Sequence, residues 1–210
     1  GNRPEWNIVD HGMAMAGLVH VPVYTSLSTD EYAHIIRHSE AKAIFVSDKF
    51  HLEKVRPVAH LLAEAKHLYT FNETGVASHW SSVTKLGKNP SAEVKEELER
   101  RKNSIDETDL ASLIYTSGTT GTSKGVMLSH ENLVKNFLAA KDVFELTPED
   151  KYLSILPLCH VGGRMGNYQS QYSGCEIYYP ENMGTFAKAM KEIAADGFDA
   201  VPRVLEKVYD

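Results

Sequence analysis

Short apolar runs bounded by turns alternate along this chain with stretches whose apolar residues recur at helical spacing, and this alternation limits the choice of fold more than any other feature. Ala43 to Val46, His67 to Phe71, Leu110 to Tyr115, Tyr152 to Leu156 and Glu176 to Tyr179 read as strands. His20 to Tyr24 and Gly125 to His130 add shorter ones. Between them, Asn2 to Leu18 reads as a first helix, with Asn2 as its N-cap and Glu5 at the third helical position. Ser28-Thr29-Asp30-Glu31 is a capping box followed by Tyr32, Ile35 and Ile36 on one face. Ser47-Asp48 caps a helix through Ala65, and further helices span Glu131 to Phe144 and Val161 to Tyr172. The pattern predicts an α/β fold of mostly parallel sheets with crossover helices. Residues 1–87 form a first α/β part, 88–109 a charged, solvated helix and linker, and 110–210 a second part.

Composition narrows the function classes. At 210 residues, 42% hydrophobic and 24% charged, the chain can fill one sizeable core or two small ones, which excludes disordered and collagen-like classes. No apolar run approaches the roughly 18 residues of a spanning helix, and no signal segment opens the chain, so a soluble, cytoplasmic protein is expected. A formal charge of -6 argues against nucleic acid or bulk attraction to anionic lipid, so a bound anion needs a local site. Cys159 and Cys175 are too few for a disulfide framework and read as free thiols. The first helix begins without a preceding partner and the Pro202 to Asp210 helix stops uncapped, so the chain is expected to be a piece of something longer.

The chemistry concentrates in Tyr115-Thr116-Ser117-Gly118-Thr119-Thr120-Gly121-Thr122-Ser123-Lys124-Gly125-Val126, which joins two predicted strands. Glycines let backbone N–H groups converge on a bound group, hydroxyls add neutral donors, and Lys124 supplies a mobile positive charge. That density of donors suits a polyphosphate better than an ordinary surface turn. The Walker loop does not fit, because Ser123 precedes the lysine and Gly125 follows it. Gly118, Gly121 and Gly125 also miss the dinucleotide spacing.

The stretch Thr116 to Val126 resembles the phosphate loop of the adenylate-forming enzymes, with Ser123 where their usual pattern has proline. Asn2 to Trp6, Val21 to Tyr24, Ser39 to Lys42, Ile155 to Val161, Tyr178 to Met183 and Val201 to Lys207 are similar, in order, to long-chain fatty acyl-CoA synthetases. The resemblance implies part of the large N-terminal AMP-binding domain, with the C-terminal domain outside the chain. It implies a two-step ligase that converts a fatty acid, ATP and coenzyme A into an acyl thioester with Mg²⁺. Nucleotide-phosphate contact falls on Thr116, Ser117, Gly118, Thr119, Thr120, Gly121 and Lys124; catalytic roles fall on Lys124 and His160, the latter beside the substrate carboxylate. The metal ligands remain unassigned. The family's magnesium, ribose and distal lysine segments do not occur in these residues, so the isolated chain is expected to be nearly inactive while its parent is a ligase. The rival reading is a non-catalytic nucleotide-binding module that keeps the loop. Homodimerisation and peripheral membrane association stay open.

Other residues read more simply. His34 and His38 stand four apart on a predicted helix without a third ligand, which favours a solvated face over a metal site. Cys159 and His160 are neighbours on a strand end and point apart, so apolar packing accounts better for Cys159. Tyr168, Tyr172, Tyr178 and Tyr179 read as core, with an acyl tunnel as the alternative. Gly162-Gly163 before Arg164 departs from the family's bulky pair and is expected to loosen an acyl pocket.

Overall fold

The fold is α/β, and the computed structural model describes residues 1–62, 67–116 and 122–209. In chain order the elements are α1 (Pro4–Met15), α2 (Thr29–Ser39), β1 (Ile44–Val46), α3 (Lys49–Val55), β2 (Leu68–Thr70), β3 (Ser78–His79), α4 (Ser81–Leu86) and α5 (Ala92–Ser104). They continue with β4 (Leu110–Thr116), β5 (Lys124–Ser129), α6 (His130–Lys141), β6 (Lys151–Leu153), α7 (Val161–Ser173), β7 (Glu176–Tyr178), α8 (Phe186–Ile193) and α9 (Pro202–Tyr209).

Strands β1, β2 and β3 pair in parallel, with Ile44 opposite Leu68 and Thr70 opposite His79. β6 and β7 pair in parallel across the α7 crossover, with Lys151 opposite Glu176. The exception is β4 with β5, an antiparallel pair. Its connection, residues 117–123, is too short for a parallel crossover, which needs about a dozen residues, so the chain must turn straight back.

Apolar residues gather in three clusters. The first packs Tyr32, Ala33 and Ile36 of α2 against Val46, Leu52, Val55, Val58 and Leu68. A small second one joins Ala111, Leu133 and Met165, and a third joins Leu153, Ile155 and Phe186. α5 buries none of its residues, as its mixed charges predicted.

Several local expectations hold and others are corrected. The Ser28–Glu31 capping box forms: Glu31 N–H donates to Ser28 Oγ at 3.3 Å, and Ser28 N–H donates to Glu31 Oε2 at 2.8 Å. Asn2, by contrast, caps nothing. Arg3 stands at the N-cap position without a side-chain cap bond, and Pro4 starts the helix, a position where its missing N–H costs nothing. Asn2 is drawn elsewhere: its amide donates to Ser154 O, Ser154 Oγ and Leu156 O, and its oxygen accepts from Leu158 N–H at 3.1 Å. His20 to Tyr24 forms only a single bridge, His20 with Ser112, because Pro22 has no N–H to offer a ladder. The helix capped by Asp48 ends at Val55 and continues as a 3₁₀ turn, Arg56–Leu61, since Pro57 cannot extend the α-helical bonding. The expected end of that helix at Ala65 lies outside the described residues. β3, α4 and α8 were not anticipated.

Candidate phosphate-loop site

The β4–β5 hairpin carries the loop. Along β4, Ala111, Ser112, Ile114 and Tyr115 are buried, and the strand surfaces only at its ends. Thr116 and Lys124 are cross-strand partners, both exposed, so a hydroxyl and an ammonium stand together at the mouth of the loop. Among the described residues no carboxylate pairs with Lys124. Ser117, Gly118, Thr119, Thr120 and Gly121 lie outside the described residues.

Behind the loop, Tyr115 pairs with Gly125 across the hairpin. Its ring covers the glycine so closely that a Cβ there would stand 3.3 Å from Tyr115 Cζ. Burial raises the Tyr115 phenol above its usual range. Its hydroxyl lies 2.7 Å from His38 Nδ1, and His34 Nε2 lies 3.1 Å from Ser123 O. The expectation of a solvated histidine face holds for His38, which is exposed, but both imidazoles also bond to the hairpin. Among the described residues no group of three His, Cys, Asp or Glu side chains could hold a metal ion.

His160 sits at the other end of the second part, as the N-cap of α7. Its Nδ1 accepts from Gly162 N–H at 3.0 Å. In the neutral ring the proton is thus on Nε2, which points away from the cap and can donate outward. His160 is exposed, and no hydrogen bond links it to Thr116 or Lys124 among the described residues. Cys159 and His160 lie in a turn and not on a strand. Burial pushes the Cys159 thiol up to about 11, so it is protonated at neutral pH and no nucleophile.

The glycines after His160 have a steric reason. A Cβ on Gly163 would stand 2.7 Å from both Leu156 O and Pro157 O. The glycine lets α7 begin against the backbone that leads out of β6, so the expected loosening of an acyl pocket is replaced by close packing.

One residue that sequence reasoning passed over organises this region. Arg164, four positions after His160, is 2% exposed. Its guanidinium donates to Asp10 Oδ1 at 2.6 Å, Ser112 Oγ at 2.7 Å and Tyr168 Oη at 2.7 Å. His20 Nδ1 lies 2.6 Å from Asp10 Oδ1, and the Tyr168 hydroxyl donates to Asp10 Oδ2. Burial alone would raise the Asp10 carboxyl. The hydrogen bond from His20, the charges of His20 and Arg164, and Tyr168 outweigh it and hold the group at about 2. Burial lowers His20 despite Asp10. Beside this cluster Asn7, Asn167 and Tyr179 close a ring of three hydrogen bonds. Together the two clusters join α1, β4 and α7 through satisfied polar groups. The sequence signal was present: a lone arginine among Asn, Tyr and Gln on a helix whose polar residues recur at helical spacing.

An apolar cavity of about 660 Å³ lies between α1, α2, β1 and the 157–159 turn, lined by Trp6, Val9, Val21, Ile36, Leu158 and Cys159 among others. Neither Thr116 nor Lys124 lines it, and neither do the four tyrosines considered for an acyl tunnel. Tyr168 and Tyr179 serve the polar clusters, Tyr172 is 57% exposed, and Tyr178 donates to Glu176.

Compared with known proteins, residues 1–210 match the family model described as AMP-binding enzyme. Long chain acyl-CoA synthetase 7, peroxisomal, from Arabidopsis thaliana is 31% identical over 219 residues, covering 100% of this chain and 30% of that protein. Among solved structures, Mycobacterium smegmatis MbtA superposes with a TM-score of 0.78 at 24% identity, over 97% of this chain and 37% of the other. The O-succinylbenzoate coenzyme A synthetase of Bacillus subtilis, in complex with ATP and magnesium ion, gives a TM-score of 0.72 at 21% identity over 99% and 39%. The chain thus spans about a third of the curated relatives it matches. No helix among the described residues is long and apolar enough to cross a membrane.

Proposed function

The chain belongs to the AMP-binding enzyme family, and from that premise we propose that the intact protein is an ATP-dependent ligase that joins a long-chain fatty acid to coenzyme A. The observation that carries this reading is the match of the whole chain, both stems of the phosphate loop included, to long-chain acyl-CoA synthetases.

In the first step the fatty carboxylate attacks the α-phosphorus of ATP, the bond to the β-phosphate oxygen breaks, and pyrophosphate leaves. The approach of two anions is the obstacle, so groups that offset charge in the transition state lower the barrier most. Lys124 supplies a positive charge and Thr116 a hydroxyl at one cross-strand position. Ser117, Gly118, Thr119, Thr120 and Gly121 are proposed to complete the cradle. Held by Gly162 at Nδ1, His160 presents Nε2–H to an oxygen of the carboxylate or the α-phosphate, which orients the nucleophile. In the second step the coenzyme A thiol attacks the acyl carbon and AMP leaves with the bonding electrons. Mg²⁺ would neutralise phosphate charge when bound. Among the described residues no three His, Cys, Asp or Glu side chains gather to hold an ion, so its ligands stay unassigned, and no step above depends on it. The placement of the intact protein in the cytoplasm or at a membrane surface is part of the same proposal.

The test is acid-dependent exchange of labelled pyrophosphate into ATP by the intact protein, with a long-chain fatty acid as substrate. Exchange is expected and should require the acid. ATP binding without exchange under any chain length would instead establish the nucleotide-binding module.

A further inference from the structure

We infer that His34 and His38 are positioning residues for the phosphate loop: from behind the hairpin, α2 holds both stems and thereby sets where Thr116 and Lys124 stand. The inference rests on the reading of the loop as a nucleotide-phosphate site.

The two imidazoles are one helical turn apart, with ring centroids 5.6 Å apart. His38 binds the hydroxyl of Tyr115, the residue directly before Thr116. His34 binds the carbonyl of Ser123, the residue directly before Lys124. Strand alternation turns Tyr115 to the face opposite Thr116 and Lys124, so the histidines act through the hairpin and do not touch the nucleotide. The Tyr115 ring meets both imidazoles edge-on, at 5.7 Å and 84° from His38 and 6.3 Å and 89° from His34. The same ring lies over Gly125, so one aromatic side chain is fixed from both strands and from the helix.

α2 is a firm platform for this task. It has a complete capping box, and Tyr32, Ala33, Ile35 and Ile36 are buried. His34 is half-buried and His38 exposed, so their bonds lie at the margin of the fold. Their loss therefore falls on the local placement of the stems more than on the stability of the whole. A loop whose stems are already placed loses less freedom when a polyphosphate binds. Losing one such bond should weaken ATP about three- to tenfold.

The test uses the intact protein, with ATP affinity measured by titration calorimetry, pyrophosphate exchange measured in parallel, and melting temperatures recorded for every variant. His34→Ala and His38→Ala should each weaken ATP about three- to tenfold at unchanged melting temperature. His34→Gln, whose amide can replace Nε2–H, and His38→Asn, whose amide can replace Nδ1, should restore most of the loss. Tyr115→Phe removes only the hydroxyl, and its effect should not add to that of His38→Ala. Wild-type affinity in the alanine variants and in Tyr115→Phe would overturn the inference, as would conservative variants as weak as alanine. If the affinities shift as expected but the wild type shows no exchange, the ligase reading falls and the positioning role stands. If the wild type does not bind ATP, both fall.

Discussion

Replacing Arg164 with methionine keeps the length and apolar stem of the side chain and deletes a guanidinium that is 2% exposed. Three donors, at 2.6, 2.7 and 2.7 Å, disappear at once. The carboxylate of Asp10 stays buried with only His20 and Tyr168 to hold it. Breaking a buried ion pair by removing one partner costs about 3–5 kcal/mol, because the other charge is left uncompensated. With a urea m-value of about 2–3 kcal/mol/M for a chain of this size, the midpoint should fall by roughly 1–2 M. Adding Asp10→Asn removes the stranded charge, so the double variant should recover at least half of the loss. Lowering the pH should narrow the gap between Arg164→Met and wild type, since a carboxylate without its arginine accepts a proton more readily. Urea unfolding followed by circular dichroism measures all three quantities. A loss below about 1 kcal/mol, or single-variant losses that simply add, would refute the view of Arg164 as the counter-charge that makes this interior tenable.

The remaining expectations are narrower. In wild type, the Asp10 carboxyl, held at about 2 against an ordinary value near 4, contributes about 2 kcal/mol that is fully present above pH 4 and lost as pH falls toward 2. His20, whose folded pKa is lowered by burial, acts with the same sign, so stability should already begin to fall below about pH 6.5, and a flat profile from pH 7 to 3 would contradict both. Gly163→Ala places a Cβ 2.7 Å from two backbone oxygens and should cost about 2–3 kcal/mol. Gly12→Ala on α1 meets nothing within 4 Å and should gain up to about 1 kcal/mol; thermal melts that reversed this order would refute the packing argument. Lys124→Ala in the intact protein should slow pyrophosphate exchange about 100- to 1,000-fold, and an unchanged rate would remove Lys124 from the phosphate site.

What the sequence made legible was mostly local chemistry. The Ser28–Glu31 cap, the buried face Tyr32-Ile35-Ile36 and the solvated α5 depend on residues a few positions apart, and each formed as read. The two strands flanking the loop were also readable, but Thr116 and Lys124 were read as loop residues and the antiparallel pairing that takes them into the strands was not. Two of the failures share a cause. Asn2 passed for a helix cap because its partners, Ser154 and Leu156, are more than 150 residues away. The bonds of His34 and His38 to the hairpin went unread because Tyr115 and Ser123 stand 77 and 89 positions on. Gly162-Gly163 suggested space, whereas the oxygens that Gly163 must clear belong to the turn before it. Periodicity reports which face of an element is apolar; it carries no record of a polar face that finds its partners inside.

The docking of α1 has a consequence for synthesis. Asn2, Asn7 and Asp10 reach residues 152 to 172 positions later in the chain. At roughly 5–20 residues per second, translation delivers those partners about 8–30 s after α1 has been made. A helix of twelve residues is marginal in water without tertiary partners, so through that interval it leans on nearer contacts such as Asp10 with His20. Its long-range polar contacts form only when α7 has left the ribosome, so a helix made well before α7 finishes docking after it.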